Sequence, residues 1–216
     1  MSKSVLLSEQ ALNRLPRYLS FLKELQREQT EYVTAPTVAK YLGLNEVQVR
    51  KELSFMSSVP GRPRTGFRVS SLIENMEIYL GYRNVDDAVL VGAGSLGCAL
   101  LGYGGFDQCG IHIVAAFDRN EALDGLTIHD KPVLSVRKLT DLCSRMKIRI
   151  GIITVSPDQA QTVCDQLVAG GVLAIWNFAP VHLKTPKEVL VRNEDLSSSL
   201  ALLAHQLQNR LRGKSE

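Results

Sequence analysis

From Met1 to Tyr82 the apolar positions recur at helical steps; beyond Arg83 they gather in short runs. Leu12, Leu15, Leu19, Leu22 and Leu25 form one stripe of an amphipathic helix that Ser8 can cap. Pro16 falls in its second or third turn, where it would kink the helix or mark its true start. Thr34, Ala35 and Pro36 open a second helix carrying Val38, Ala39 and Leu42, and Gly43 ends it. Asn45 caps a third helix, with Gln48 at the capping-box position and Val49, Leu53 and Met56 on one face. Val47, Gln48, Arg50, Lys51 and Ser54 lie on or near the other face. Short helix, tight turn and second helix make a helix-turn-helix. The turn-rich stretch from Ser58 to Val69 predicts a β-hairpin from which Arg62, Arg64 and Arg68 project. Leu72 to Leu80 reads as a further helix.

The second part alternates. Ala88 to Gly92 is an apolar run typical of a buried parallel strand, and Ser95 to Leu101 opens a helix. Strands follow at Ile113–Phe117, Ile148–Val155, Val172–Phe178 and Glu188–Arg192. Helices are expected at Ser135–Met146 and Asp158–Val168. The last helix, Asp195 to Arg212, carries Leu196, Leu200, Leu203, Leu207 and Leu211 as one long stripe, suited to core packing or to a dimer partner. The fold class is therefore α/β: a winged helix, then a Rossmann-like doubly wound parallel sheet, then a C-terminal helix. The expected domains are 1–82, 83–193 and 194–216.

Composition narrows the function classes. The 216 residues are 45% hydrophobic and 22% charged, which excludes a membrane channel, a fibre, a disulfide scaffold and a largely disordered chain. No apolar run approaches the ~18 residues of a membrane span. Met1 to Gln10 lacks the pattern of a secretory signal, so a cytoplasmic location is expected. Charge is uneven: Met1–Tyr82 holds 11 Lys/Arg against 8 Asp/Glu, and the remainder holds 14 of each. Between Lys40 and Arg68, six basic residues face only Glu46 and Glu52. Such a footprint suits phosphate binding. Cys98, Cys109, Cys143 and Cys164 form no C-x-x-C pair and no zinc spacing with histidine, so reduced thiols and no metal are expected.

Two chemistries emerge. Gln48 and Arg50 can reach base edges in the major groove, Lys51 suits phosphate, and Ser54 lies on the same face. Arg62, Arg64 and Arg68 on a wing could touch the backbone or enter the minor groove. In the second part Gly92-x-Gly94-x-x-Gly97 lies between a strand and a helix, the context a dinucleotide fingerprint demands. The candidate cofactor residues are Gly92, Gly94, Ser95, Leu96, Gly97, Asp118 and Arg119, with Thr154, Val155 and Asn177 at strand ends. Asp118 can accept from both ribose hydroxyls and would repel a 2′-phosphate, favouring NAD(H); Arg119 beside it leaves the phosphorylated form open. His112, His129, His182 and His205 are poor acid–base candidates, His182 being the only plausible one, so a binding site without chemistry is the better reading.

Taken in order, Gln48-Val-Arg-Lys-Glu-Leu-Ser54, Val91-Gly-Ala-Gly-Ser-Leu-Gly97, Tyr103-Gly-Gly-Phe106, Phe117-Asp118 and Asn177-Phe-Ala-Pro-Val181 resemble the Rex family of redox-sensing transcriptional repressors. The resemblance runs from about Leu6 to Leu211. It implies a cytoplasmic bacterial homodimer that binds an inverted-repeat operator and is released by NADH, with NAD⁺ competing weakly. It also implies a last helix exchanged between subunits, and a switch contact among a first-helix arginine, Tyr103 and Asp195; Tyr103 is counted among the cofactor-binding residues as well. This chain departs at Ser20, where the family has that arginine, at Leu196, where the family often has phenylalanine, and at Pro60 and Pro63 in the wing. Ser20 and Leu196 favour an alternative, a DNA-binding regulator holding another nucleotide or a structural one. A small NAD-dependent oxidoreductase is a more remote alternative.

Overall fold

The computed structural model describes residues 7–57, 61, 65–82 and 86–212. The chain forms two compact units, Met1–Asn84 and Val85–Glu216.

The first unit contains α1 (Glu9–Arg27), β1 (Tyr32–Val33), α2 (Ala35–Leu42), α3 (Glu46–Met56), β2 (Phe67–Arg68) and α4 (Val69–Tyr79). The caps are those the side chains dictate. Ser8 accepts from the Ala11 N–H, Thr34 from Thr37, and Asn45 from Val47 and Gln48. Helix α1 runs through Pro16 from Glu9, so the proline does not mark its start. Gly43 ends α2 in the left-handed region at φ +65°, which turns the chain into α3. The apolar stripes converge on one core in which Leu15, Tyr18, Leu22, Val38, Val49, Leu53, Leu72 and Met76 are fully enclosed. Each such side chain contributes roughly 1.5–3 kcal/mol of transfer free energy.

Residues 58–60 and 62–64 of the hairpin expected within Ser58–Val69 lie outside the described residues; its described end pairs with a strand from earlier in the chain. Strand β2 pairs antiparallel with β1, Tyr32 opposite Arg68 and Val33 opposite Phe67. The partner strand precedes the helix-turn-helix, where a stretch this short carries no periodicity. Gly66 makes the approach possible: at φ +87° it lies so close to Val33 that a Cβ would meet the Val33 carbonyl oxygen at 2.2 Å.

In the second unit β3 (Asp86–Val91), α5 (Ser95–Leu101), β4 (Ile111–Asp118), β5 (Thr127–Ile128) and β6 (Lys131–Ser135) come first. They are followed by α6 (Leu139–Met146), β7 (Ile150–Ile153), α7 (Pro157–Ala169), β8 (Ala174–Asn177), β9 (Leu190–Asn193) and α8 (Leu196–Arg212). The sheet order is β5-β6-β4-β3-β7-β8-β9, parallel except for the β5–β6 hairpin. That hairpin corrects the helix expected from Ser135: Lys131–Ser135 is strand, and α6 begins only at Leu139 after a single 3₁₀ turn. Its turn is His129–Asp130, both at positive φ (47° and 61°), as the twist of a two-residue hairpin loop requires.

Alternate residues of β3 feed two cores. Ala88 and Leu90 face the α5 side, while Val89 and Val91 face α6 and α7. Burial on both faces explains the unbroken apolar run. Cys143 and Cys164 are enclosed in the second core, where burial pushes both thiols up to about 11 and keeps them protonated and inert at neutral pH. Helix α8 is exposed along its length, with Leu196, Leu200, Leu203, Leu207 and Leu211 each more than half accessible.

Candidate functional site

The chain runs outward from β3 on one side to β4 and β6, then returns to place β7 on the other side of β3. Ligands of such sheets bind at the carboxyl ends of the strands where this reversal occurs. A cleft of about 500 Å³ lies there, and Gly92, Gly94, Asp118, Arg119, Thr154 and Val155 all line it.

The three glycines have three different reasons. Gly92 sits at φ +106°, and a Cβ there would meet Thr154 backbone atoms at 2.8 and 2.9 Å. Gly97 lies against the turn itself, where a Cβ would be 1.9 Å from the Gly92 carbonyl oxygen. Gly94 is the contrary case: nothing stands within 4 Å of where its Cβ would be. The first and third glycines close the turn, and the second opens backbone to the cleft. Ser95 and Leu96 are exposed in the first turn of α5 and Gly97 is buried.

Asp118 ends β4 with both carboxylate oxygens fixed. Oδ2 accepts from the Ala93 N–H at 2.7 Å and Oδ1 from the Asn120 N–H at 2.8 Å. A carboxylate has about four acceptor directions, so it is oriented by the backbone and can still accept from a diol. Arg119 faces Asp158 across the cleft; a hydrogen bond from Ser156, together with the Arg119 charge, holds the Asp158 carboxyl below its usual range.

Two expected cofactor residues have other work. The Thr154 hydroxyl donates to the Val91 and Gly92 carbonyls at 3.1 and 2.8 Å, bracing the glycine turn, although the residue still lines the cleft. Asn177 is wholly buried and does not line it. Its amide nitrogen donates to Ala179, Val181 and Asn193, and its oxygen accepts from the Ala179 N–H. Both side-chain polar atoms are used within the protein, shaping the Asn-Phe-Ala-Pro turn and tying it to Asn193 of β9.

Tyr103 also lies off the cleft. It is 60% exposed and meets Phe106 edge-on at 5.0 Å. Asp195 caps its own helix, accepting from the Ser198 N–H and hydroxyl; these bonds lower its carboxyl below the ordinary value. Ser20 is exposed on α1.

Sequence reasoning missed the wall made by α7. Gln159, Thr162, Val163 and Gln166 line the cleft at three- and four-residue spacing, with Val136 opposite. The spacing was readable as one helix face, but only the parallel placement of β7 turns that face toward the glycines. Among the described residues lining the cleft there is no His, Tyr, Lys or Cys, and His182 is exposed elsewhere.

In the first unit α3 presents its basic face outward: Arg50, Lys51 and Ser54 are exposed and Gln48 is half-buried. Arg50 pairs with Glu46 one turn back at 2.5 Å, and Arg68 with Glu31 at 3.3 Å. Exposed pairs of this kind contribute only about 0–1 kcal/mol, so both guanidiniums can be surrendered to a phosphate. Arg62 and Arg64 lie outside the described residues. Among the described residues no cluster of His, Cys, Asp and Glu could hold a metal, and no helix is long and apolar enough to cross a membrane.

Two family models match parts of the chain. Residues 85–181 match the family model "CoA binding domain", and residues 7–54 match "Putative DNA-binding protein N-terminus". The chain is 37% identical over 203 residues to the redox-sensing transcriptional repressor Rex of Treponema denticola, covering 94% of this chain and 96% of that one. Among solved structures it is similar to RSP, described as a Rex-family repressor. Its complex with beta-NAD⁺ and operator DNA matches at 33% identity and a TM-score of 0.89, over 98% of this chain and 97% of that one. The RSP complex with beta-NADH matches at 33% identity and a TM-score of 0.86, over 99% and 100%.

Proposed function

This chain belongs to the Rex family of redox-sensing transcriptional repressors, and we propose that it acts as one: a repressor that binds an inverted-repeat operator and leaves it when NADH occupies the glycine cleft. The observation that carries the reading is the opening at Gly94 beside the oriented Asp118 carboxylate. A pyrophosphate needs backbone it can approach closely, and a ribose needs an acceptor for its diol; both stand at one switch point. Gly92, Gly94 and the first turn of α5 would hold the pyrophosphate, Asp118 the ribose, and the apolar wall from Val136 and Val163 the adenine.

The ligand acts as a signal, not as a reactant, in this reading: among the described residues lining the cleft there is no His, Tyr, Lys or Cys, and the Asp118 carboxylate is given to the ribose. Helix α3 reads the major groove through Gln48 and Arg50, with Lys51, Ser54 and Arg68 toward the backbone; Arg62 and Arg64, outside the described residues, join this set on the sequence reading alone. A single recognition helix reads one half-site, and two copies joined through the α8 leucine stripe read the repeat. Operator DNA is cytoplasmic in bacteria, and the protein acts there.

Two states of the dimer connect the sites. Operator favours one and NADH the other, and the coupling is reciprocal: NADH weakens operator binding by the factor by which operator weakens NADH binding. Couplings of about 1–3 kcal/mol give 5–150-fold effects. Tyr103 and Asp195 are the switch residues in this reading, with Asp195 held by Ser198 in place of the missing arginine at Ser20.

Fluorescence anisotropy of a labelled inverted-repeat operator, titrated separately with NADH and NAD⁺ at fixed salt, tests it. Release by NADH at concentrations where NAD⁺ does nothing is expected. The exposed Ser20 and the match to a CoA-binding model favour one second reading, a regulator responding to another adenine nucleotide. Tight operator binding indifferent to both dinucleotides would select it.

Asp118→Ala tests the ribose contact. Hydrogen bonds to a charged group are worth about 1.5–3 kcal/mol, so NADH affinity measured by calorimetry should fall roughly tenfold to a hundredfold, with apo operator binding unchanged. The variant also strips the Ala93 N–H of its acceptor, so the second unit should lose about 1–3 kcal/mol. Equal NADH affinity would move the ribose site elsewhere.

A further inference from the structure

Beneath α3 lies a polar network. Glu52 is 6% exposed in the core of the first unit. Arg14 of α1 reaches it through Nη2 at 2.5 Å and Nε at 3.3 Å, and the Tyr18 hydroxyl donates to it at 2.5 Å. Burial pushes the Glu52 carboxyl up, but the bonds from Arg14 and Tyr18 and the Arg14 charge outweigh it and hold it ionised. The guanidinium is thereby fixed, because withdrawing it would strand a buried carboxylate.

Arg14 has a second contact. Turning the Gln48 amide gives up a 3.3 Å bond from its nitrogen to Glu52 Oε1 and takes that nitrogen away from the guanidinium donors; Gln48 Oε1 then accepts from Arg14 Nη2 at 2.5 Å and Nη1 at 3.3 Å. Gln48 therefore does not complete a capping box, since its amide oxygen is held by α1.

This decides what Gln48 can read. A glutamine recognises adenine by a pair of bonds, its oxygen accepting from N6–H and its nitrogen donating to N7. Here a cation holds the oxygen, and an approaching N6 amino group would meet guanidinium donors. What remains is the NH₂, which donates to an acceptor present on either purine. Resting on the proposal that α3 reads operator DNA, we propose that Arg14, outside the helix-turn-helix, is a specificity-determining residue that makes Gln48 a donor-only reader of purine N7.

The test begins with selection from a randomised inverted-repeat library by the wild-type chain and by Gln48→Ala; the position whose preference relaxes is the one Gln48 reads. Base analogues are then placed there in the selected operator. Replacing adenine by purine, which lacks the N6 amino group, should change wild-type affinity by less than about threefold, whereas 7-deazaadenine should cost roughly tenfold. Guanine should be accepted within about threefold of adenine. The triple variant R14M/Y18F/E52M, which replaces the whole network by apolar groups, frees the oxygen and should gain roughly tenfold preference for adenine over guanine. Arg14→Lys, which keeps a donor, should behave as wild type. A tenfold loss with purine in the wild-type chain overturns the proposal without requiring any variant to fold, as does a folded triple variant with wild-type preference. Failure to select any operator, or a Gln48→Ala variant that relaxes no position, overturns the DNA reading of α3 and this proposal with it.

Discussion

Gly94→Val is expected to abolish dinucleotide binding while leaving the protein folded. Gly94 has extended backbone (φ −74°, ψ −168°) that any residue adopts, and its Cβ would meet nothing within 4 Å. The cost to the fold is limited to a poorer helix cap, about 1 kcal/mol. The valine methyls would nevertheless occupy the open space over the turn that the pyrophosphate is proposed to fill. NADH affinity should fall by at least about a hundredfold, which corresponds to about 2.7 kcal/mol. Operator binding by the apo protein should persist and become deaf to NADH. Calorimetry with NADH, beside a thermal melt, reads both. Unchanged affinity would put the pyrophosphate somewhere other than the Gly92–Gly97 turn. Gly97→Ala makes the contrast: its Cβ at 1.9 Å from a carbonyl oxygen would disrupt the turn itself.

The second large effect concerns α8. Leu200 and Leu207 are 67% and 56% exposed, on one stripe with Leu196, Leu203 and Leu211. Burying a leucine contributes roughly 1.5–3 kcal/mol, so a stripe of this length left in water is costly unless a second copy covers it. Leu200→Asp/Leu207→Asp should convert a dimer to a monomer in sedimentation equilibrium. Operator affinity should drop by about a hundredfold or more, because linked half-site binding gains 10²–10⁴ from effective concentration. The melt should fall only by what the dimer contact contributes, since neither leucine is buried within the chain. A variant that still sediments as a dimer would remove α8 from the interface.

Why some features were legible in the sequence and others were not follows from the range of the forces involved. The helices of the first unit were readable because caps and stripes are local: Ser8, Thr34, Asn45 and Gly43 act within one turn of where they stand. The glycine turn was readable because its context of strand and helix is contiguous, and Asp118 because β4 follows directly from α5. The β1–β2 pairing and the β5–β6 hairpin were not. Two-residue strands have no period, and His129–Asp130 is an unusual pair for a turn that needs positive φ twice.

Side-chain roles were less legible than positions. Thr154 and Asn177 stand at strand ends, where ligands are usually met, yet their hydrogen bonds go to the protein's own backbone. Gln48 occupies a capping-box position, yet its oxygen goes to Arg14, 34 positions earlier.

The sequence by itself determined the helix-turn-helix, the parallel sheet and the glycine turn between strand and helix, because each is written in contiguous residues through periodicity, capping and turn chemistry. The tertiary structure alone decided which strand pairs with β2, that α7 walls the cleft, and how the carboxylates of Asp118 and Glu52 are held. It also decided that the Gln48 amide meets Arg14 of another helix. Those outcomes depend on which polar atoms packing brings within about 3 Å of one another, and a linear order of residues does not contain that distance.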